Sequence, residues 1–176
     1  MTLKFIRVAI PIGIGLAFAT PAHAGEIIGG LYVHDVDTFV TIAGVEPGVD
    51  FQLGYRGGRI GKTPLQPHVF VALNSSGATS YAAAGFSMKF GDKVFIRPGV
   101  GLAIHNGSTK DYQIEGNDEL EFGTRVLIEP ELGIGARVND RLTVEASWVH
   151  MSHGQLFTDQ NPGIDNLGIR FAYKLR

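Results

Sequence analysis

The stretch Leu120-Glu121-Phe122-Gly123-Thr124-Arg125-Val126-Leu127-Ile128-Glu129-Pro130-Glu131-Leu132-Gly133-Ile134-Gly135-Ala136-Arg137 alternates two kinds of side chain. Phe122, Val126, Ile128, Leu132 and Ile134 fall on one parity, and Glu121, Arg125, Glu129, Glu131 and Arg137 fall on the other. Residues two apart on a strand share a face, so the stretch predicts a strand with one apolar and one charged face. The pattern repeats upstream, where Val94, Ile96, Val100, Leu102 and Ile104 oppose Lys93 and Arg97. It repeats downstream, where Leu167, Ile169, Phe171, Tyr173 and Leu175 oppose Arg170 and Lys174. Parity alone does not say which face is inside, but the charges do. A small barrel has too little room for all these apolar side chains, whereas Glu121, Arg125, Glu129, Glu131, Arg97 and Glu145 can be enclosed if they pair across the lumen. The expectation is a barrel with its apolar face toward lipid.

Eight segments carry this period: Glu26 to Val36, Val49 to Arg56, Gln66 to Asn74, Thr79 to Phe90, Lys93 to Asn106, Leu120 to Arg137, Arg141 to Ser152 and Ile164 to Leu175. The predicted fold class is therefore all-β, an eight-stranded antiparallel transmembrane β-barrel. Gly91-Asp92 and Asn139-Asp140 read as tight turns, while Asp37 to Gly48, Gly107 to Glu119 and His153 to Gly163 are longer connections. Tight turns on the periplasmic side and long loops outside suit a bacterial outer-membrane barrel with both termini in the periplasm. Asn74 to Ala78 is short for an outer loop and Gly57 to Leu65 long for an inner turn. Pro98 and Pro130 lack the N–H that a central ladder uses, and the expectation at both is a bulge.

Ahead of the first strand, Lys4 and Arg7 precede an apolar run from Val8 to Ala19 and the small-residue site Ala22-His23-Ala24. That order reads as a secretory signal peptide over residues 1–24, leaving residues 25–176 as one outer-membrane domain. Without Lys4 and Arg7, 13 basic residues stand against 17 acidic ones, which argues against nucleic acid as a partner. The chain has no cysteine, so thiolate nucleophiles and thiolate metal sites are excluded. Beyond the leader no apolar run approaches the length of a helical span, while 44% apolar residues is ample for membrane strands.

The seventh segment places Leu142, Val144, Ala146, Trp148, His150 and Ser152 on one parity, so an apolar stripe ends in two reactive side chains. Residues two apart on a strand have α-carbons about 6.5 Å apart, within reach of a hydrogen bond from a serine hydroxyl to an imidazole. That is the pairing of a nucleophile with its general base. Across the hairpin Asp165 has the lipid-facing parity and could orient His150, although a neighbouring carboxylate could serve instead. Trp148 fits an interfacial aromatic girdle, which puts the pair at headgroup level and points to a lipid arriving sideways. The bland alternative is that polar residues occur wherever a membrane strand emerges into water, with Asp165 a turn residue after Pro162-Gly163.

His150-Met151-Ser152, then Asn161-Pro162-Gly163-Ile164-Asp165 and a final amphipathic strand, resemble the lipid A 3-O-deacylase family of acyloxyacyl hydrolases (PagL-like) over about the last 30 residues. The resemblance implies an outer-membrane serine esterase that removes the ester-linked 3-position acyl chain of lipid A. His150 is then the general base, Ser152 the nucleophile and Asp165 the acid. Where the family often has asparagine after the serine this chain has His153, and where it has glutamate this chain has Asp165. Asn161 matches a family asparagine. Oxyanion stabilisation would then fall to backbone amides near His153 and Gly154 or to Asn161. The implied partners are the membrane and lipid A, or lipopolysaccharide, in the outer leaflet, with a homodimer left open and no cofactor.

Other constellations carry less. His150 and His153 point to opposite faces of a strand, so no metal is expected. Glu129 and Glu131 read as part of a lumen ion network rather than an acid–base pair, and His34, His68 and His105 as lumen or rim residues. Gly57-Gly58-Arg59-Ile60-Gly61-Lys62-Thr63 has Arg56 where a phosphate loop needs glycine, and reads as a turn. Lys110 on the outer rim is a candidate for sugar phosphates, inside a loop that is net acidic. The rival to an esterase is a structural or adhesive barrel in which His-x-Ser is incidental. An acyltransferase using the same three residues is a third option.

Overall fold

Period-two alternation of β-branched and aromatic residues with small or charged ones yields the eight strands seen in the computed structural model, which describes residues 25–38, 40–41, 45–111, 119–156, 159 and 161–175. They are β1 (Glu26–Val33), β2 (Val49–Arg56), β3 (Leu65–Asn74), β4 (Tyr81–Met88, continued by Phe90–Gly91), β5 (Val94–His105), β6 (Val126–Arg137), β7 (Leu142–Met151) and β8 (Ile164–Lys174). Each pairs antiparallel with the next, and β1 pairs with β8 from Glu26↔Lys174 to Val33↔Leu167, closing the barrel. Closure leaves no free sheet edge, the condition a β-structure must meet in hydrocarbon. The expected leader over residues 1–24 lies outside the described residues.

The predicted inside and outside are correct. Leu31, Leu53, Val94, Leu102, Ile104, Ile134 and Ile169 are all at least half exposed on the outer surface. Inside, Arg97 Nε donates to Glu145 Oε1 at 3.0 Å, Arg56 reaches the same carboxylate at 3.4 Å, and Arg170 meets Glu131 at 2.7 Å. His68 stands 3.7 Å from both Glu129 and Glu131. Space for these groups comes from small facing residues. A Cβ on Gly133 would lie 2.9 Å from Glu145 Oε2, so alanine there would press on the carboxylate. Toward the end of the barrel that carries the long loops, the interior turns apolar, with Tyr32, Phe70, Tyr81, Leu127, Val149, Met151 and Ile164 buried together.

Three expectations need correction. The sixth strand begins at Val126, not Leu120. Gly123 has φ 70°, and the Phe122 and Gly123 amides donate to Ser108 and Lys110 carbonyls, so the segment leaves the sheet. Phe122 is therefore buried against His105, with ring centroids 4.5 Å apart, rather than lipid-facing. Glu121 and Arg125 leave the lumen network with it. Glu121 takes Lys110 at 3.2 Å, and Arg125 donates to the carbonyls of His105 and Gly107. Second, Arg137, grouped with the charged face, is exposed at the strand end and pairs with Asp92. Third, neither proline makes a bulge. The β4–β5 register is the same on both sides of Pro98, and β6 resumes its pairing with β7 at Ile128↔Ser152 without offset. Each proline interrupts the ladder and adds no residue to it.

Candidate active site on the outer face of the last hairpin

Strand β7 runs apolar on its outward parity until Trp148, then presents His150, and Ser152 follows just beyond its end. The β7–β8 register sets His150 directly opposite Asp165. Cross-strand partners have β-carbons about 4.5–5.5 Å apart, the right span for an imidazole to meet a short carboxylate. His150 Nδ1 is 2.7 Å from Asp165 Oδ1, and His150 Nε2 is 2.9 Å from Ser152 Oγ. A carboxylate can only accept, so Nδ1 carries the imidazole proton and Nε2 is left to accept from the serine hydroxyl. The three residues that the sequence singled out are thus brought into one hydrogen-bonded line.

The line is shielded at one end and open at the other. Asp165 is fully buried although its parity is outward, His150 is 6% exposed, and Ser152 is partly exposed. Two groups not anticipated in this role cover the carboxylate. Trp148 stacks on His150, with ring centroids 5.8 Å apart and planes 22° from parallel, and its indole Nε1 donates to Asp165 Oδ1 at 2.9 Å. Thr38, on the loop after β1, donates its hydroxyl to Asp165 Oδ2. The shared parity of Trp148 and His150 was a readable signal for the first contact. Nothing local in sequence marks the second. Gly163 is a third unforeseen contributor, since a Cβ there would sit 2.9 Å from His150 Cε1.

Beyond Ser152 the chain turns through Gly154 at φ 60° and Gln155 at φ 59°. The His153 backbone N–H donates to Asn161 Oδ1 at 3.1 Å, tying the two ends of the loop together. Of the expected oxyanion donors, this amide is already engaged, while Gly154 is exposed beside it. The ladder gap at Pro130 adjoins the site. Pro130 occupies the β6 position opposite His150, and pairing resumes two residues further at Ile128, which exchanges two hydrogen bonds with Ser152.

The remaining candidates lie apart. His34 sits beyond β1 between Asp50 at 2.9 Å and Glu46 at 3.1 Å, and His105 contacts the Thr124 carbonyl at 2.8 Å. Burial works against a charge on His34, but the hydrogen bonds it donates to Asp50 and Glu46 outweigh it and raise its pKa to about 9. Among the described residues no group of three His, Asp or Glu side chains is placed to hold a metal. The run from Gly57 to Thr63 is a turn, closed by Ile60 N–H to the Leu65 carbonyl. A cavity of about 450 Å³ opens at the opposite, turn-bearing end, lined by Arg59, Lys89, Arg137, Arg141, Lys174 and Glu26 among others. It holds none of the site residues.

Comparison with known proteins agrees with this architecture. Residues 47–174 match the family model described as lipid A 3-O-deacylase (PagL). Among solved structures, the outer membrane enzyme PagL superposes with a TM-score of 0.59 at 16% identity, covering 85% of this chain and 99% of that one. Neisserial surface protein A (NspA) gives 0.58 at 14% identity, covering 86% and 97%. A de novo designed transmembrane β-barrel gives 0.52 at 14% identity, also covering 86% and 97%. At these identities the superpositions speak for the barrel alone. No curated protein is similar enough in sequence to match the chain.

Proposed function

Since the chain belongs to the lipid A 3-O-deacylase (PagL) family of the bacterial outer membrane, we propose that it hydrolyses the ester-linked 3-position acyl chain of lipid A with Ser152, His150 and Asp165. The observation that carries this reading is the continuous line Ser152 Oγ, His150 Nε2, His150 Nδ1, Asp165 Oδ1, at 2.9 and 2.7 Å, on the lipid-facing side of the barrel. A reactive line inside the lumen would serve a soluble substrate. On the outer face, at the end carrying the long loops, it serves one held in the outer leaflet.

The chemistry follows from the proton positions. Ser152 Oγ forms a bond to the ester carbonyl carbon as its proton passes to His150 Nε2. Asp165 holds the imidazole in the required tautomer and stabilises the imidazolium. The tetrahedral oxyanion is met by donors around the loop turn, the Gly154 amide and the Asn161 side-chain amide, with the His153 amide contributing if it exchanges its present acceptor. Collapse breaks the bond to the sugar 3-oxygen, which takes the proton from His150. Water, activated by the same imidazole, then releases the acyl group from Ser152 as a free acid.

Mass spectrometry of lipid A from cells expressing the wild-type chain or Ser152→Ala tests the reading. Loss of one hydroxyacyl group with wild type and none with Ser152→Ala is expected. Identical spectra from equal amounts of folded barrel would leave the structural-barrel alternative standing. We also propose that residues 1–24 are removed on export, so the intact mass of the membrane-embedded protein should correspond to a chain starting at Gly25.

A further inference from the structure

The Asp165 carboxylate has three donors, and only one of them is the imidazole that the proposed chemistry requires. Oδ1 accepts from His150 Nδ1 at 2.7 Å and from Trp148 Nε1 at 2.9 Å, while Oδ2 accepts from the Thr38 hydroxyl. Thr38 is 127 positions away in sequence. Its contact is supported by two others from the same loop: Val36 N–H donates to the Asp165 carbonyl at 2.7 Å, and Thr41 Oγ1 to the Gly163 carbonyl at 3.1 Å. The loop after β1 therefore lies against the start of β8 at several points.

A fully buried carboxylate needs its lone pairs satisfied. It also needs a fixed plane if it is to hold an imidazole at one tautomer and one angle. A single hydrogen bond to His150 leaves the carboxylate free to rotate about its Cβ–Cγ bond. A second donor on the same oxygen and a third on the other remove that freedom. We infer that Thr38 and Trp148 are positioning residues that fix the Asp165 carboxylate toward His150, making the first loop a structural wall of the active site.

The inference rests on the Ser152–His150–Asp165 reading for its kinetic consequence, but the orientation of His150 can be followed without turnover. Removing a donor lets the carboxylate turn about its Cβ–Cγ bond, so the hydrogen bond from His150 Nδ1 to Asp165 Oδ1 should weaken and the Nδ1–H proton resonance should move upfield.

The test uses the refolded barrel in detergent micelles, with NMR observation of the His150 Nδ1–H proton and deacylation of purified lipid A. For Thr38→Val we expect an upfield shift of the His150 Nδ1–H resonance and a fall in kcat of roughly 10- to 100-fold, with KM within about twofold. Thr38→Ser, which keeps the hydroxyl, should restore both. Trp148→Phe should behave like Thr38→Val, because it keeps the stacking ring and loses only the N–H. A wild-type Nδ1–H resonance and kcat in both Thr38→Val and Trp148→Phe would overturn the inference. A Ser152→Ala barrel that still deacylates, or a wild-type barrel that never does, would overturn the triad reading, and the His150 Nδ1–H resonance would still decide the role of Thr38 and Trp148.

Discussion

At the residue scale, the close approach of Gly163 to His150 has a direct consequence. A methyl on Gly163 would come within 2.9 Å of the imidazole Cε1 and 3.3 Å of the Met151 carbonyl oxygen. The carbonyl belongs to a paired strand and cannot yield, so the ring must. Gly163→Ala should therefore displace His150 from Ser152 and Asp165, and a misplacement near 1 Å can cost about 100-fold in rate. Lipid A deacylation should fall by at least tenfold while the heat-dependent shift in gel mobility, which reports the folded barrel, stays unchanged. Full activity in Gly163→Ala would refute the close approach. The three aligned residues themselves were legible beforehand, since period two fixes faces and a hairpin fixes neighbours. Thr38 was not, because a contact spanning 127 positions leaves no trace in local pattern. Trp148 was read for its ring and not for its N–H, which only the geometry of the hairpin could assign.

Among elements, the loops are joined by one carboxylate. Glu46 accepts from His34, from the amide and hydroxyl of Thr79, and from the Leu120 amide, so it ties the connections after β1, β3 and β5 together. Burial disfavours its charge, yet these donors more than compensate and hold its pKa below the usual carboxylate value. His34 is raised from 6.5 to about 9, so the protonated imidazolium is the form the native loops favour. For a basic group with a raised pKa, the stabilisation is complete below about pH 6.5 and is lost as pH rises through about 9. Hydrogen exchange at the Thr79 and Leu120 amides, corrected for intrinsic base catalysis, should show protection falling across that window. A His34→Gln barrel should lack the step. The strand boundaries here show where reading stops. Alternation carried straight through Leu120 to Arg125, and Gly123 at positive φ turned the chain out of the sheet, sending Phe122 inward. Similarly, a missing proline N–H told of a disrupted ladder, but whether the disruption adds a residue depends on the partner strand.

On the scale of the molecule, the orientation of the barrel was decided by charges whose alternative location was lipid. Arg97, Glu145, Glu129 and Glu131 are enclosed as expected. Glu145 is the least replaceable, because it pairs with both Arg97 and Arg56, and the more exposed Glu26 is the other carboxylate in direct ion-pair range of these guanidinium groups among the described residues. Glu145→Ala would leave two buried cations short of a counter-charge and should cost roughly 3–5 kcal/mol. Urea unfolding of the barrel in lipid vesicles measures this, and a midpoint equal to wild type would count against the network. Whole-molecule legibility was high here because few architectures can accommodate alternating charge and hydrocarbon without a helix.

Ser152 stands on the outside of a barrel whose interior is occupied by paired charges and closed toward the loops by Tyr32, Phe70, Tyr81 and Met151. On the proposed reading its substrate is a lipid, which reaches it by lateral diffusion within a leaflet. The concentration that governs encounter is then a surface mole fraction, not an amount per volume, so the supply of substrate is set by which other lipids crowd the hairpin.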